Sequence, residues 1–244
     1  MQPDEYRKLA EVEDQLWYFT ALHARILSAL EERFGAGAPV TILDAGCGTG
    51  GLLRKLHARR PGWALTGIDL SADACRLARA RTHAPVLEGS VETLPFEAAS
   101  FDAVVCADVL YHVDSDGAAL EHFKRVLKPG GLLIVNVPAY PWLWSYHDVA
   151  THAKRRYAKG PFRSLLENRG FAVRTLTHWN TLLFPLIVVR RKLLPPPRSG
   201  SDVSAVGSLA TTCFSGLMAL ERLWLTTGLT LPFGSSLFAI ATAR

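Results

Sequence analysis

The chain has 244 residues, of which 49% are apolar and 20% charged. It can bury one large core, and fibrous and disordered classes are excluded. The net charge is +5, and most of it lies late: residues 175–244 hold 6 basic and 2 acidic residues, and with 8 charged residues in 70 that end is also the apolar one. Cys47, Cys75, Cys106 and Cys213 are too widely spaced for a disulfide framework or a CxxC metal site, so a reduced, cytoplasmic chain is expected. The polar start, MQPDEYRKLAEVEDQ, does not read as a secretory signal.

Before Pro39 the spacing of Leu9, Val12, Leu16, Phe19, Leu22, Ile26, Leu27 and Leu30 predicts an amphipathic helical cap over 1–38. Val40–Leu43 then reads as a buried strand running into glycines. Helices near 51–59, 71–81 and 116–127 alternate with strands at 63–68, 85–88, 101–106 and 131–137. Such alternation predicts an α/β fold with a parallel sheet covered on both faces, here over 39–180. An aromatic and basic segment follows Pro138. A helix at 161–169 ends at Gly170, Phe171–His178 is a sixth strand, and 236–244 carries the last.

Between those two strands, 181–235 is an insertion with apolar helical stretches near 181–194 and 204–226. They are separated by Pro195-Pro196-Pro197 and Gly200-Ser201. Both of its ends must return to one core, so it is expected to be a lid or association surface and not a membrane span.

The first strand leads into DAGCGTGG, where Gly46, Gly48 and Gly51 satisfy GxGxxG and Asp69 follows at the end of the next strand. Alone this is a dinucleotide fingerprint. Asp44 argues against it, because a carboxylate two residues before the first glycine repels a pyrophosphate and attracts a cation. S-adenosylmethionine, with a sulfonium, an ammonium and no phosphate, suits that turn. Asp69 is expected to accept from ribose hydroxyls.

These residues resemble the class I S-adenosylmethionine-dependent methyltransferases. The resemblance rests on Asp44–Gly50, Gly67-Ile-Asp69-Leu70-Ser71, Gly89–Phe96, Phe101-Asp102 with Ala107–His112, and Arg125–Gly131. It implies a Rossmann-like, doubly wound, seven-stranded sheet, mostly parallel with an antiparallel last strand. It also implies that Gly46, Cys47 and Gly48 approach the methionine portion, that Leu70 flanks the ribose site, and that Ser90 and Val91 meet the adenine. The end of the fourth strand, Cys106 to Asp108, is implied to lie by the sulfonium. Many relatives carry Asp where Ser90 stands, and a hydroxyl accepts more weakly than a carboxylate.

Trp17-Tyr18-Phe19 and the run from Trp144 to Tyr157 resemble a bacterial subgroup of the same family. Trp17 and Tyr18 are expected either to close over cofactor and acceptor or to serve as packing. If 146–157 is helical, Asp148 and His152 share a face, so that Asp148 orients His152 as a general base. Arg155 and Arg156 then lie one turn on and hold an anionic acceptor, with Tyr146 and Tyr157 nearby. His147 points elsewhere on that helix, and His112 after the fourth strand is the rival base. No metal spacing is visible.

The expected function is methylation of an oxygen on an apolar small molecule, lipid-linked compound or modified peptide. The alternatives are carbon methylation of a quinone-like ring, or a catalytically silent scaffold. Arg190, Arg191 and Arg198 sit among apolar residues, which weighs against nucleic acid as a partner. It leaves a peripheral membrane contact and a homodimer both open.

Overall fold

The structure is a computed structural model and describes Glu13 and residues 16–35, 37, 39–195 and 208–244. In chain order the elements are α1 (Trp17–Phe34), β1 (Thr41–Ala45), α2 (Gly51–Arg59), β2 (Ala64–Asp69), α3 (Ala72–Arg81), β3 (Val86–Glu88) and β4 (Phe101–Ala107). Then come α4 (Asp116–Val126), β5 (Leu127–Pro138), a 3-10 turn (Pro141–Leu143), α5 (Tyr146–Ala150), α6 (Lys159–Asn168) and β6 (Phe171–Trp179). The last elements are α7 (Phe184–Lys192), α8 (Ser208–Thr226) and β7 (Ser236–Ala243).

The sheet order is β3-β2-β1-β4-β5-β7-β6. β1 to β5 run parallel, and β7 pairs antiparallel with both β5 and β6. The central strands are mostly apolar because both faces are covered, with buried Asp44 in β1 and Asn136 in β5 as polar exceptions. Successive residues feed opposite layers: Leu43, Val104 and Leu133 join one apolar cluster with Phe123 and Phe171, while Ile42, Val105 and Ile134 join the other with Leu22, Ile26 and Leu30 of α1. Strand order reverses between β1 and β4, where open α/β sheets place their ligand crevice. Ser71 and Ser115 cap α3 and α4 by accepting from the backbone N–H groups of Ala74 and Ala118.

Two expectations change in detail. β5 begins at Leu127, so Lys128–Gly131 belongs to a bulged strand start, with the register shifting between Phe101 and Ala103 of β4. The helix expected over 146–157 is only the five residues of α5.

The insertion leaves and rejoins the sheet at the carboxyl edge, after Trp179 and before Ser236. α8 lies against α1, with Phe214 edge-on to Trp17. Its buried Glu221 accepts from the N–H groups of Asn180, Thr181 and Leu182. No described helix is long and apolar enough to cross a membrane. The Pro196-Pro197 and Gly200-Ser201 breaker and the start of the first expected helix, with Leu9 and Val12, lie outside the described residues.

Candidate active site

The turn after β1 needs its glycines for separate reasons. Gly46 (φ +88°) turns the chain so that its N–H and that of Cys47 both donate to the Ile68 carbonyl, at 2.7 and 3.0 Å. A Cβ there would collide with Val109, so the segment after β4 closes directly over it. Gly48 (φ +50°) faces open space and donates its N–H to Asp69 Oδ2 at 2.8 Å. The other oxygen of Asp69 accepts from Ser71 N at 3.0 Å, which ties the turn to the start of α3. Leu70, beside it, is 75% exposed.

Asp44 is buried at the head of this turn. Burial, with Glu13 and then Asp69 adding like charge, pushes its pKa up to about 8. Glu13 comes from the segment before α1. Its carboxylate accepts from Thr49 Oγ1 and pairs with Arg81 at 3.0 Å, and a Cβ on Gly51 would strike it.

Asp108 stands across the crevice at the end of β4, with a left-handed backbone (φ +59°) held by its N–H donating to the Asn136 carbonyl at 3.0 Å. Its carboxylate accepts from Tyr18 Oη at 2.9 Å and from Asn136 Nδ2 at 2.8 Å. Asn136 is fixed in turn by Trp179 Nε1, which donates to its Oδ1 at 2.7 Å, and the Tyr18 ring stacks on Trp179 at 5.2 Å. Burial raises Asp108 to about 6, against the lowering effect of its two hydrogen bonds. Four elements, α1, β4, β5 and β6, thus hold one carboxylate.

The donor set answers which cofactor fits. Asp69 adds like charge to Asp44 at the β1 turn, Asp108 directly precedes Val109, which closes over Gly46, and Arg81 nearby is paired with Glu13. A phosphate would meet three carboxylates, whereas a sulfonium and an ammonium would be stabilised by them. The open space at Gly48 beside Asp69 suits the rest of S-adenosylmethionine.

Several expected site residues lie elsewhere. Cys106 is fully buried in the sheet, and Cys47 packs behind the turn against Gly67, with burial pushing both thiols up. Neither side chain reaches the crevice. Val91 is buried in the same cluster as Leu43 and Ile68, leaving only its backbone for a ligand. Ser90 Oγ accepts from Glu92 N at 3.1 Å. Trp17 packs edge-on against Tyr18 and Phe214, as the packing alternative required.

The cluster expected over 146–157 does not assemble as a helix face. Ser145 and Asp148 form a capping box that starts a one-turn helix, and the chain then reverses through His152 (φ +55°). Asp148 therefore does not orient His152, which is exposed. It forms a buried ion pair with Arg156, Nε to Oδ1 2.7 Å, at 1% and 3% side-chain exposure. Arg156 also donates to the Ala139 carbonyl. Arg155 binds Asp116 at 3.0 Å and the carbonyls of Val113 and Asp114. Tyr157 Oη lies within reach of the Leu110 carbonyl and Asp116.

Tyr146 lies under the Arg190 guanidinium at 5.3 Å. The His147 carbonyl accepts from Thr151 N and Oγ1. His112 stacks on Tyr111, its Nδ1 is 3.3 Å from the His152 carbonyl, and burial lowers its pKa. Among the described residues no group of three or more His, Cys, Asp or Glu is placed to hold a metal ion.

Sequence reasoning had named Asp108 only within a segment and had missed Glu13, Asn136 and Trp179. One signal was available: Asn136 is the polar break in the apolar run from Leu132 to Val137.

Comparison with known proteins gives the family and the fold. Residues 43–135 match the family model described as a methyltransferase domain. A malonyl-[acyl-carrier protein] O-methyltransferase of Enterobacter lignolyticus is 33% identical over 165 residues, which are 64% of this chain and 65% of that protein, so the match spans just under two thirds of that relative. A ubiquinone/menaquinone biosynthesis C-methyltransferase of Syntrophotalea carbinolica is 33% identical over 175 residues, 59% of this chain and 73% of that protein. The fold matches that of a geranyl diphosphate C-methyltransferase of Streptomyces coelicolor A3(2), crystallised with S-adenosyl-L-homocysteine, with a TM-score of 0.61 and 18% identity over 93% of this chain and 80% of that one. The chain belongs to the S-adenosylmethionine-dependent methyltransferase family.

Proposed function

We propose that this chain methylates an oxygen atom of an apolar, hydroxyl- or carboxyl-bearing acceptor, with Asp108 as its proton acceptor. The cofactor, when bound, supplies a methyl group activated by its sulfonium. The observation that carries the reading is the Asp108 carboxylate, fixed by Tyr18 and Asn136 on the crevice wall opposite Gly46 and Gly48.

When a hydroxyl of the acceptor is methylated, its proton would pass to the Asp108 carboxylate. Tyr18 donates to Oδ2 and Asn136 to Oδ1, one bond to each oxygen, so each oxygen keeps a further lone pair that can accept it. Asp44 and Asp69 favour a cationic cofactor, and a cation beside Asp44 favours its ionised form. His112, His147 and His152 are not required in this scheme.

An O-methyltransferase among the relatives supports the choice of oxygen, while the C-methyltransferase relative favours a second reading, carbon methylation of a quinone-like ring. Incubating the protein with methyl-labelled S-adenosylmethionine, bacterial lipid extract, hydroquinones and acyl-carrier-protein thioesters, then locating the label by mass spectrometry, tests this. Label on oxygen is the expected result. Label on carbon establishes the second reading, and cofactor binding without transfer to any acceptor leaves the scaffold reading.

A further inference from the structure

We propose that α7 and α8 form a docking surface for anionic lipid headgroups, seating the carboxyl edge of the sheet against a bilayer so that an apolar acceptor enters from the membrane. The second half of that statement rests on the acceptor class proposed above; the first half does not.

α7 reads FPLIVVRRK and contributes no buried residue to the fold, although five of its nine residues are large and apolar. A helix that hydrophobic and that uncovered has an unused apolar face. Leu186 and Val189 on α7 are exposed, and Leu193 directly after it is 74% exposed. On α8, Met218 and the buried Glu221 turn inward, while Leu220, Leu223 (67%) and Trp224 turn out. The backbone of 180–182, bound by Glu221, joins the two helices at their base beside Trp179, itself part of the Asp108 network. The uncovered face therefore borders the entrance to the candidate site.

Charge selects the occupant. Half-exposed Arg190 and Arg191 and exposed Lys192 close α7, with Arg190 over the Tyr146 ring and Lys192 Nζ donating to the Trp144 carbonyl, contacts that supply no neutralising acid, and exposed Arg222 lies on α8; the sole acid in 181–195 and 208–235 is Glu221, turned inward. A second copy of the same surface would bring four cations against four. An anionic headgroup layer complements them, and the leucines and tryptophan reach the acyl boundary while the cations stay among the phosphates. Neither helix is long and apolar enough to cross, so the contact is peripheral.

Flotation with vesicles of phosphatidylcholine alone, and of phosphatidylcholine with 30% phosphatidylglycerol, tests the surface without reference to catalysis. The expected result is binding to the anionic vesicles only, weakened by raising salt from about 0.1 to 0.5 M. Arg222→Gln should lower partitioning about fivefold. Leu186→Asp and Leu223→Asp should each abolish it while leaving the thermal midpoint and cofactor affinity unchanged, since both side chains are exposed. Binding to neither vesicle, equal binding to both, or a dimer in sedimentation that Leu223→Asp dissociates would overturn the proposal. Calorimetry with S-adenosylmethionine, run in parallel, reports on the family site independently, so failure of one is distinguishable from failure of the other.

Discussion

Two charged clusters at the carboxyl edge of this sheet are built on opposite plans. Over 146–157 and its surroundings, charge meets opposite charge: Asp148 with Arg156, Arg155 with Asp116, Lys154 with Asp114. Around the β1 turn, Asp69 is held by backbone amides and Asp108 by a phenol and an amide, and burial makes Asp44, Asp69 and Asp108 hold their protons more tightly. The first cluster is neutralised internally and needs no ligand. In the second, a cation arriving from outside favours the ionised form of acids whose protons burial otherwise retains. Basic and histidine-rich sequence drew attention to the first, yet the second has the character of a site, because perturbed acids in a crevice mark places where binding energy is still to be gained.

The contrast predicts which substitutions cost stability and which cost activity. The largest stability loss is expected from Arg156→Met, which leaves the Asp148 carboxylate buried without its partner; removing one member of such a pair costs about 3–5 kcal/mol. For a chain of this size that is roughly a 10 °C fall in thermal midpoint. A shift under about 2 °C in calorimetry would show that the pair is not the keystone of the segment.

Asp108→Asn should do the reverse. Turnover falls by about 10²–10⁴-fold with little change in melting, because the proton acceptor is gone while the amide keeps the shape. In the native chain kcat/KM should rise with pH through about 6, since the deprotonated carboxylate is the active form. That limb should vanish in the variant. A limb that persists unchanged assigns it to another group.

Asp69→Ala should weaken S-adenosylmethionine binding by roughly 10–100-fold, from loss of charge-assisted hydrogen bonds of about 1.5–3 kcal/mol each. Retained affinity in calorimetry would remove Asp69 from the cofactor site.

Asp44 sharpens the same point through pH. Its pKa rises from 3.8 to about 8 on folding, so the folded chain holds the proton more tightly. The stability it contributes is full below about pH 4 and is lost as pH rises through 8. Binding a cation has the opposite sign: affinity should increase as pH rises from 6 to 8, by at most about tenfold per unit, with proton release. Calorimetry in two buffers of different ionisation enthalpy measures that release, and equal observed heats in the two buffers, before any correction, would count against Asp44 as a group that favours the cationic cofactor.

What was legible in the sequence was local. The run into Gly46 and Gly48 and the alternation of strands and helices are set by neighbours a few residues apart, and the structure keeps them. The antiparallel last strand came from resemblance and also holds. What was illegible is long-range: Glu13 reaches Thr49, Tyr18 reaches Asp108, and Trp179 reaches Asn136 across 36, 90 and 43 residues. No periodicity encodes such pairings. Asp148 shows the complementary failure, since helical spacing pointed it at His152, whereas the chain reversal at 151–153 gives it to Arg156, eight residues away.

His152 yields the smallest effect and the sharpest discrimination between the two clusters. A general base in that segment would make His152→Ala as damaging as Asp108→Asn. The structure instead leaves its ring exposed on a left-handed residue whose backbone N–H donates to the Val149 carbonyl and whose carbonyl faces His112 Nδ1. Replacing the ring leaves that carbonyl in place, so turnover should stay within about twofold and stability within about 0.5 kcal/mol, as for other surface substitutions. Steady-state kinetics on the acceptor identified by methyl labelling decides it: a hundredfold loss in turnover at unchanged cofactor affinity would return the proton transfer to His152 and reduce Asp108 to a residue that positions Tyr18.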